Sequence, residues 1–164
     1  MKRFMHATEQ DKEEILALYR SLVGTEYCAW TDDYPNEETI AFDLSREALF
    51  CLKNEEDTII GVISIDQDDA VEKLCCWSNE HQPSEELSRL GVHPAYQNQG
   101  VARLLLNYGM EELKKRGNHS VHFLVCKSNK RAIRSYDRLN FTVVGECRLF
   151  SEDWWCYEKI LVRE

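Results

Sequence analysis

Between Glu85 and Gly117 a short apolar strand, a tight polar loop and an amphipathic helix follow one another directly. Leu87, Leu90 and Val92 supply the strand signal, and His93-Pro94 closes it, because proline lacks a ladder donor and restricts the residue before it. The loop is Gln97-Asn98-Gln99-Gly100-Val101-Ala102. Val101, Leu104, Leu105, Tyr108 and Leu113 then recur at helical spacing on one apolar face, and Gly117 ends the helix as a left-handed cap.

A loop of this composition at a helix start leaves several backbone N–H groups unpaired beside the positive end of the helix dipole. Such a place suits an anion, and a phosphate best. Gly100 and Ala102 matter because a larger side chain would hold a pyrophosphate away from the backbone.

Gln97, Gly100 and Ala102, preceded by Leu90, Val92 and Pro94, resemble the acetyl-CoA signature of the GNAT superfamily of N-acetyltransferases. There Gln/Arg-x-x-Gly-x-Gly/Ala follows a strand ending in Leu-x-Val-x-Pro. A second stretch, Asn129, Ala132, Tyr136 and Phe141, resembles the family's Asn-x-x-Ala-x-x-x-Tyr-x-x-x-Gly-Phe, with Asn140 where the family usually has glycine. The likeness extends from Lys2 to about Glu158, with specific motifs only from Glu86 to Phe141. It implies acetyl-CoA as cosubstrate, with Leu90, Val92, Gln97, Asn98, Gln99, Gly100, Val101, Ala102, Asn129 and Tyr136 as its binding residues.

The remaining elements follow from local signals. Arg3 to Ala7 reads as a first strand, and Thr8 with Asp11 offers an N-cap before Ile15, Leu16, Leu18, Tyr19 and Leu22, a helix closed by Gly24. Thr25 to Asn36, with Tyr27, Trp30 and Tyr34, is an irregular aromatic loop, and Glu37 to Arg46 a second helix. Ala48 to Lys53 and Thr58 to Asp66 form a hairpin around an acidic turn. Asp66 to Ser84 is expected to be a long surface excursion. Val121 to Cys126 is a strand, Asn129 caps a further helix ended by Asn140, and Phe141 to Glu146 and Trp154 to Leu161 are strands around Ser151-Glu152-Asp153. The expected architecture is α/β, an α+β mixed sheet flanked by about four helices, with helices crossing between parallel strands. It is similar to the GNAT fold.

At 164 residues the chain is expected to be one N-acetyltransferase domain, residues 1–164. With no apolar leader or membrane-length run, a soluble cytoplasmic protein is expected. Seven cysteines make an odd count without Cys-x-x-Cys, so buried thiols are expected rather than disulfides, and no metal site. The balance of 20 basic against 29 acidic residues gives −9, which disfavours nucleic acid and favours a cationic acceptor, although solubility alone explains such a charge. No membrane partner is expected, and family members often pair through edge strands, so a homodimer is plausible.

Acetyl transfer from a thioester to an amine needs a base for an ammonium of pKa about 10.4, a polarised carbonyl and a proton for the leaving thiolate. Glu86, at the start of the central strand, resembles the base position of some family members; a solvated strand-end glutamate is the alternative. In a period-two strand it shares a face with Ser88, Leu90 and Val92. Tyr136 stands where the family places its acid, or is a core aromatic, and its phenol at about 10 is reasonably matched to a thiol at about 8.5. Asn129 caps its helix and, by resemblance, bonds the pantetheine arm. The N–H of Leu90 is the candidate for polarising the carbonyl. The resemblance also implies that the strand of Leu90 and Val92 splays from Val121–Cys126, leaving backbone groups to pair with the pantetheine. Trp30, Tyr34, Trp77 and Trp155 could line an acceptor pocket or simply pack. Histidines 93, 119 and 122 carry no functional signal, and no serine or cysteine nucleophile motif occurs.

The activity so implied is direct transfer of acetyl from acetyl-CoA to a primary amine of a small molecule. A peptide or protein acceptor, or a non-catalytic acyl-CoA sensor, remain alternatives. Turnover against an amine panel separates them.

Overall fold

The structure, a computed structural model, describes residues 1–26 and 28–161. Seven strands are hydrogen-bonded in the order β1-β2-β3-β4-β5-β7-β6, with β4–β5 parallel and the β1–β2, β2–β3, β5–β7 and β6–β7 pairs antiparallel. The chain divides into two compact units, Met1–Ile65 with Ser88–Gly109, and Asp66–Leu87 with the described part of Met110–Glu164.

The first unit contains β1 (Arg3–His6), α1 (Lys12–Leu22), α2 (Glu37–Ser45), β2 (Leu49–Lys53) and β3 (Ile59–Asp66, to Ile65). Thr8 begins α1 through a preceding 3-10 turn, its backbone N–H and hydroxyl both bonded to Asp11 Oδ2. That arrangement satisfies donors that a helix start leaves open. Ile15, Leu18, Tyr19 and Leu22 on α1 pack with Ile40, Leu49, Cys51, Ile59 and Val62 into one core. β3 is buried along its whole length, which is why it reads as an apolar run rather than an alternation.

β4 (Ser84–Val92) and α4 (Val101–Lys115) carry the central motif, and their parts from Ser88 to Gly109 belong to this first unit. The start of α4 lies against β3 at Gly61. A Cβ there would come 2.7 Å from Leu105 Cδ1 and 3.2 Å from Val101 Cγ1, so glycine is what allows this close approach. Phe4 is stacked between Phe50 and Tyr108, fixing the next turn of α4 over β1 and β2.

The second unit contains α3 (Asp69–Glu72), the first residues of β4, β5 (Ser120–Cys126), α5 (Lys130–Asp137), β6 (Thr142–Leu149) and β7 (Glu152–Ile160). Phe123, Tyr136, Phe141 and Tyr157 form its aromatic core, with Phe123 4.7 Å from Phe141 and 5.2 Å from Tyr136 between ring centroids. Gly117 and Asn140 are left-handed, as the sequence predicts for helix ends.

Three expectations are revised. The Asp66–Ser84 stretch is not a bare excursion: it forms α3 and a 3-10 turn at Asn79–His81, and Trp77 Nε1 donates to Val71 O at 2.8 Å. The last hairpin turns at left-handed Phe150 and Ser151, lengthening both strands beyond the expected limits. Two consecutive left-handed residues match the twist of the flanking strands. Finally, Arg89 has φ +49, so the alternation expected to align Glu86 with Ser88, Leu90 and Val92 is broken in mid-strand. A left-handed residue is not extended, and period two cannot be carried across it.

Candidate active site

In the first unit the loop before α4 is held at several points. His93 N donates to Ile60 O at 2.9 Å, Tyr96 N to His93 O at 2.8 Å, and Asn54 Nδ2 to Tyr96 Oη at 3.1 Å. Gln97 Nε2 donates to Val92 O at 3.3 Å, tying the loop back to the end of β4. Asn98 (φ 62) and Gly100 (φ 80) are left-handed, and a Cβ built at Gly100 meets nothing within 4 Å. The backbone is thus bent by residues suited to it and open to close approach beside the first turn of α4, whose N–H groups have no intrahelical acceptor. Arg103, exposed in that turn, adds a cation. These residues fit a phosphate group. Val101, at 2% exposure, instead faces the core and fixes where the helix begins.

Leu90 and Val92 are half-buried on β4. Next to Leu90 is a buried ionic cluster that no sequence motif announces. Arg89 makes a two-pronged bond to Asp43, Nη2 to Oδ1 at 2.8 Å and Nε to Oδ2 at 3.1 Å. Arg46 Nη2 adds a bond to Oδ1 at 2.7 Å, and Ser64 Oγ donates to Oδ2 at 2.8 Å. The Asp43 and Arg89 side chains are 0% and 5% exposed. Burial pushes the Asp43 carboxyl up, opposed by the two guanidinium groups and Ser64. Arg89 Nη1 also donates to Tyr34 Oη at 3.1 Å, so the cluster reaches the aromatic loop. Trp30 in that loop packs edge-on against Tyr19, while Tyr27 lies outside the described residues.

The second unit carries the other predicted residues. Glu86 is 5% exposed, and Cα pairing sets it beside His122 of β5; the β4–β5 pairing covers Ser84 to Glu86. Asn129 caps α5, accepting from Ala132 N at 3.1 Å. Tyr136 is buried among Phe123, Phe141 and Tyr157. Burial, with Tyr157 contributing, pushes its phenol up to about 12 rather than the expected 10. Of the remaining aromatic candidates, Trp77 packs on His122 and Trp155 carries Lys127 Nζ 4.1 Å from its ring centre. The predicted residues therefore fall into two groups, Leu90, Val92 and Gln97–Ala102 in one unit and Glu86, Asn129 and Tyr136 in the other. Among the described residues no group of three or more His, Cys, Asp or Glu is arranged to hold a metal ion.

Residues 15–141 match the acetyltransferase (GNAT) family. The chain belongs to the GNAT acetyltransferases. It is similar to a mycothiol acetyltransferase of Streptosporangium roseum, 42% identical over 62 residues that cover 38% of this chain and 18% of that protein. The chain spans less than half the length of the mycothiol acetyltransferases it matches, 43% in that of Rhodococcus erythropolis. In fold this GNAT chain resembles the ribosomal-protein-S18-alanine N-acetyltransferase of Escherichia coli, with TM-score 0.75, 20% identity and coverage of 100% of this chain and 96% of that one. A Salmonella typhimurium structure solved with its cofactor acetyl-CoA gives TM-score 0.75 at 21% identity, covering 100% and 96% of the two chains.

Proposed function

We propose that this GNAT protein transfers acetyl from acetyl-CoA directly to a primary amine, and that residues 1–164 act as one N-acetyltransferase domain. The observation that carries the reading is the pinned loop Gln97–Ala102, with left-handed Asn98 and Gly100 opening onto the first turn of α4. Acetyl-CoA, when bound, supplies the activated acetyl group and a pyrophosphate for that loop. Gln97 to Ala102 hold the pyrophosphate, and Leu90, Val92 and Asn129 orient the pantetheine arm.

The Leu90 N–H polarises the carbonyl, and Glu86 accepts the amine proton. Tyr136 acts as a hydrogen-bond donor to the departing sulfur. A phenol at about 12 lies well above a thiol of about 8.5, so complete transfer would cost roughly 4–5 kcal/mol at 1.36 kcal/mol per unit. A donated hydrogen bond needs no such transfer.

The acceptor we favour is a small cationic amine, in keeping with the formal charge of −9. The S18-alanine relative supports a second reading, a peptide α-amine. Seven free thiols suit a reducing, cytoplasmic setting, and no described helix is long and apolar enough to cross a membrane. The test is CoA release from acetyl-CoA with spermidine, aminoglycosides, amino acids and short peptides. Acceptor-dependent release by a small amine is expected. Release with peptides alone would overturn the small-amine reading, and acetyl-CoA binding without release from any acceptor would favour a sensor.

A further inference from the structure

Three thiols of the second unit meet on one face of the β6–β7 hairpin. Gly145 of β6 pairs with Cys156 of β7, and Cys147 pairs with Trp154. Paired residues share a face, and so do residues two apart on one strand, which puts Gly145, Cys147 and Cys156 on the same side. Cys76 stands over Gly145: a Cβ built there would come 2.7 Å from Cys76 Cβ and 3.5 Å from its Sγ. The missing side chain at Gly145 is what makes room for Cys76 beside Cys156. Two thiols bear on that of Cys156, Cys76 more strongly than Cys147.

The segment carrying Cys76 is held on this face by contacts of its own. Trp77 packs on His122 with ring centroids 4.7 Å apart, and Trp77 Nε1 donates to Val71 O at 2.8 Å. Ser78 N donates to Glu158 Oε2 at 3.0 Å. Glu158 lies two residues beyond Cys156, as Ser78 lies two beyond Cys76, so the two segments touch at both places. Directly paired residues have Cβ atoms about 4.5–5.5 Å apart. Cys76 Cβ, close to where residue 145 would carry its own, is therefore roughly that far from Cys156 Cβ, and a disulfide needs about 3.5–4.5 Å. A shift of about 1 Å closes the gap. Cys147 is diagonal to Cys156, a relation that sets Cα atoms roughly 7–8 Å apart, outside the usual disulfide range of about 4.4–6.8 Å.

We propose that Cys76 and Cys156 form a reversible dithiol–disulfide site, oxidised by hydrogen peroxide, that fastens residues 71–78 to β7. Nothing in this chemistry uses acetyl-CoA or an amine. Cys76 is half-buried and is reached first, whereas Cys156 is 0% exposed and burial pushes its thiol up. The Cys76 thiolate attacks the peroxide: an S–O bond forms, the O–O bond breaks, and the released hydroxide leaves as water with the proton the thiol gave up. The Cys156 sulfur then attacks the sulfenic sulfur of Cys76. An S–S bond forms, the S–O bond breaks, and hydroxide leaves as a second water with the Cys156 proton. One peroxide is reduced by two electrons and the two thiols are oxidised. A thiol reductant reverses the bridge by two successive exchanges.

The test is peroxide treatment of the reduced, folded full chain at neutral pH, followed by alkylation and peptide mapping by mass spectrometry. The intact mass should fall by two hydrogens, a linked peptide pair should contain Cys76 and Cys156, and dithiothreitol should restore both thiols. Amide exchange in residues 71–78 should slow about ten-fold in the oxidised form. Cys76→Ser, a change at a half-buried position, should abolish the bridge and leave Cys156 a free thiol, while Cys75→Ser, at an exposed position, should leave the bridge intact. A bridge to Cys75 or Cys147, a disulfide-linked dimer, or Cys76 driven to sulfinic acid beside a free Cys156 would overturn the assignment. So would a chain that keeps all seven thiols free after peroxide.

Discussion

Asp43→Ala should destabilise the protein more than any surface change, because of what it leaves behind. Asp43 accepts four hydrogen bonds, two from Arg89, one from Arg46 and one from Ser64. Its loss strands the Arg89 guanidinium, itself 5% exposed, without its carboxylate. Breaking one partner of a buried pair costs about 3–5 kcal/mol, since the remaining charge stays desolvated. A kcal/mol shifts Tm by about 2–4 °C in a chain of this size, so the expected fall is about 6–20 °C. Arg89→Met should cost a similar amount. The double variant should then lose less than the sum, by about 0.5–3 kcal/mol, because the two side chains share the interaction that each single change removes. Thermal and urea unfolding of the four proteins closes the cycle. A fall of less than about 3 °C in Asp43→Ala, or strict additivity in the double variant, would show that the cluster does not hold this region. The functional consequence is local. Arg89 is left-handed immediately before Leu90, and a cost of about 1–3 kcal/mol for that backbone persists only where its surroundings enforce it.

Gly100→Val places a β-branched residue at φ 80 and fills the open space by the loop, so acetyl-CoA affinity by calorimetry should fall at least ten-fold; an unchanged Kd would remove the loop from the binding site. Tyr136→Phe should lower kcat by about 10- to 150-fold, matching a hydrogen bond to a charged group of about 1.5–3 kcal/mol, with little change in acetyl-CoA affinity; full kcat would exclude the donor role. Asp11 supplies a pH test. Burial pushes its carboxyl up, but the Thr8 backbone N–H and Lys53 at 2.9 Å outweigh it and hold the group below the ordinary aspartate range. A depressed folded pKa contributes stability above the unfolded value, and that stability is lost as pH falls through the folded value. Asp11→Asn should therefore cost stability at neutral pH and lose progressively less below about pH 4, measured by denaturant unfolding; a constant difference down to pH 2 would refute the assignment.

Much of the backbone around the candidate site was legible because it depends on local chemistry. Pro94, Gly100, Gly117, Asn129 and Asn140 each carry a backbone preference that acts within a few residues, and the apolar spacing of α4 follows from its own periodicity. The electrostatic detail was not legible. Tyr136 lies on its predicted helix, yet its phenol is pushed up to about 12 because aromatic neighbours from distant positions bury it. The left-handed kink at Arg89 also escaped reading, since period two in a sequence assumes an unbroken pleat.

The sequence by itself determined the strand–loop–helix unit, its suitability for a phosphate and the family to which it belongs, because residue type and spacing act there over short range. Only the tertiary structure decided which polar and charged side chains meet. Asp43 with Arg89, and Glu72 with His122, are separated by 46 and 50 residues respectively. Neither member of either pair belongs to a motif, and pairing between them depends on strand register and helix placement, which the whole fold sets.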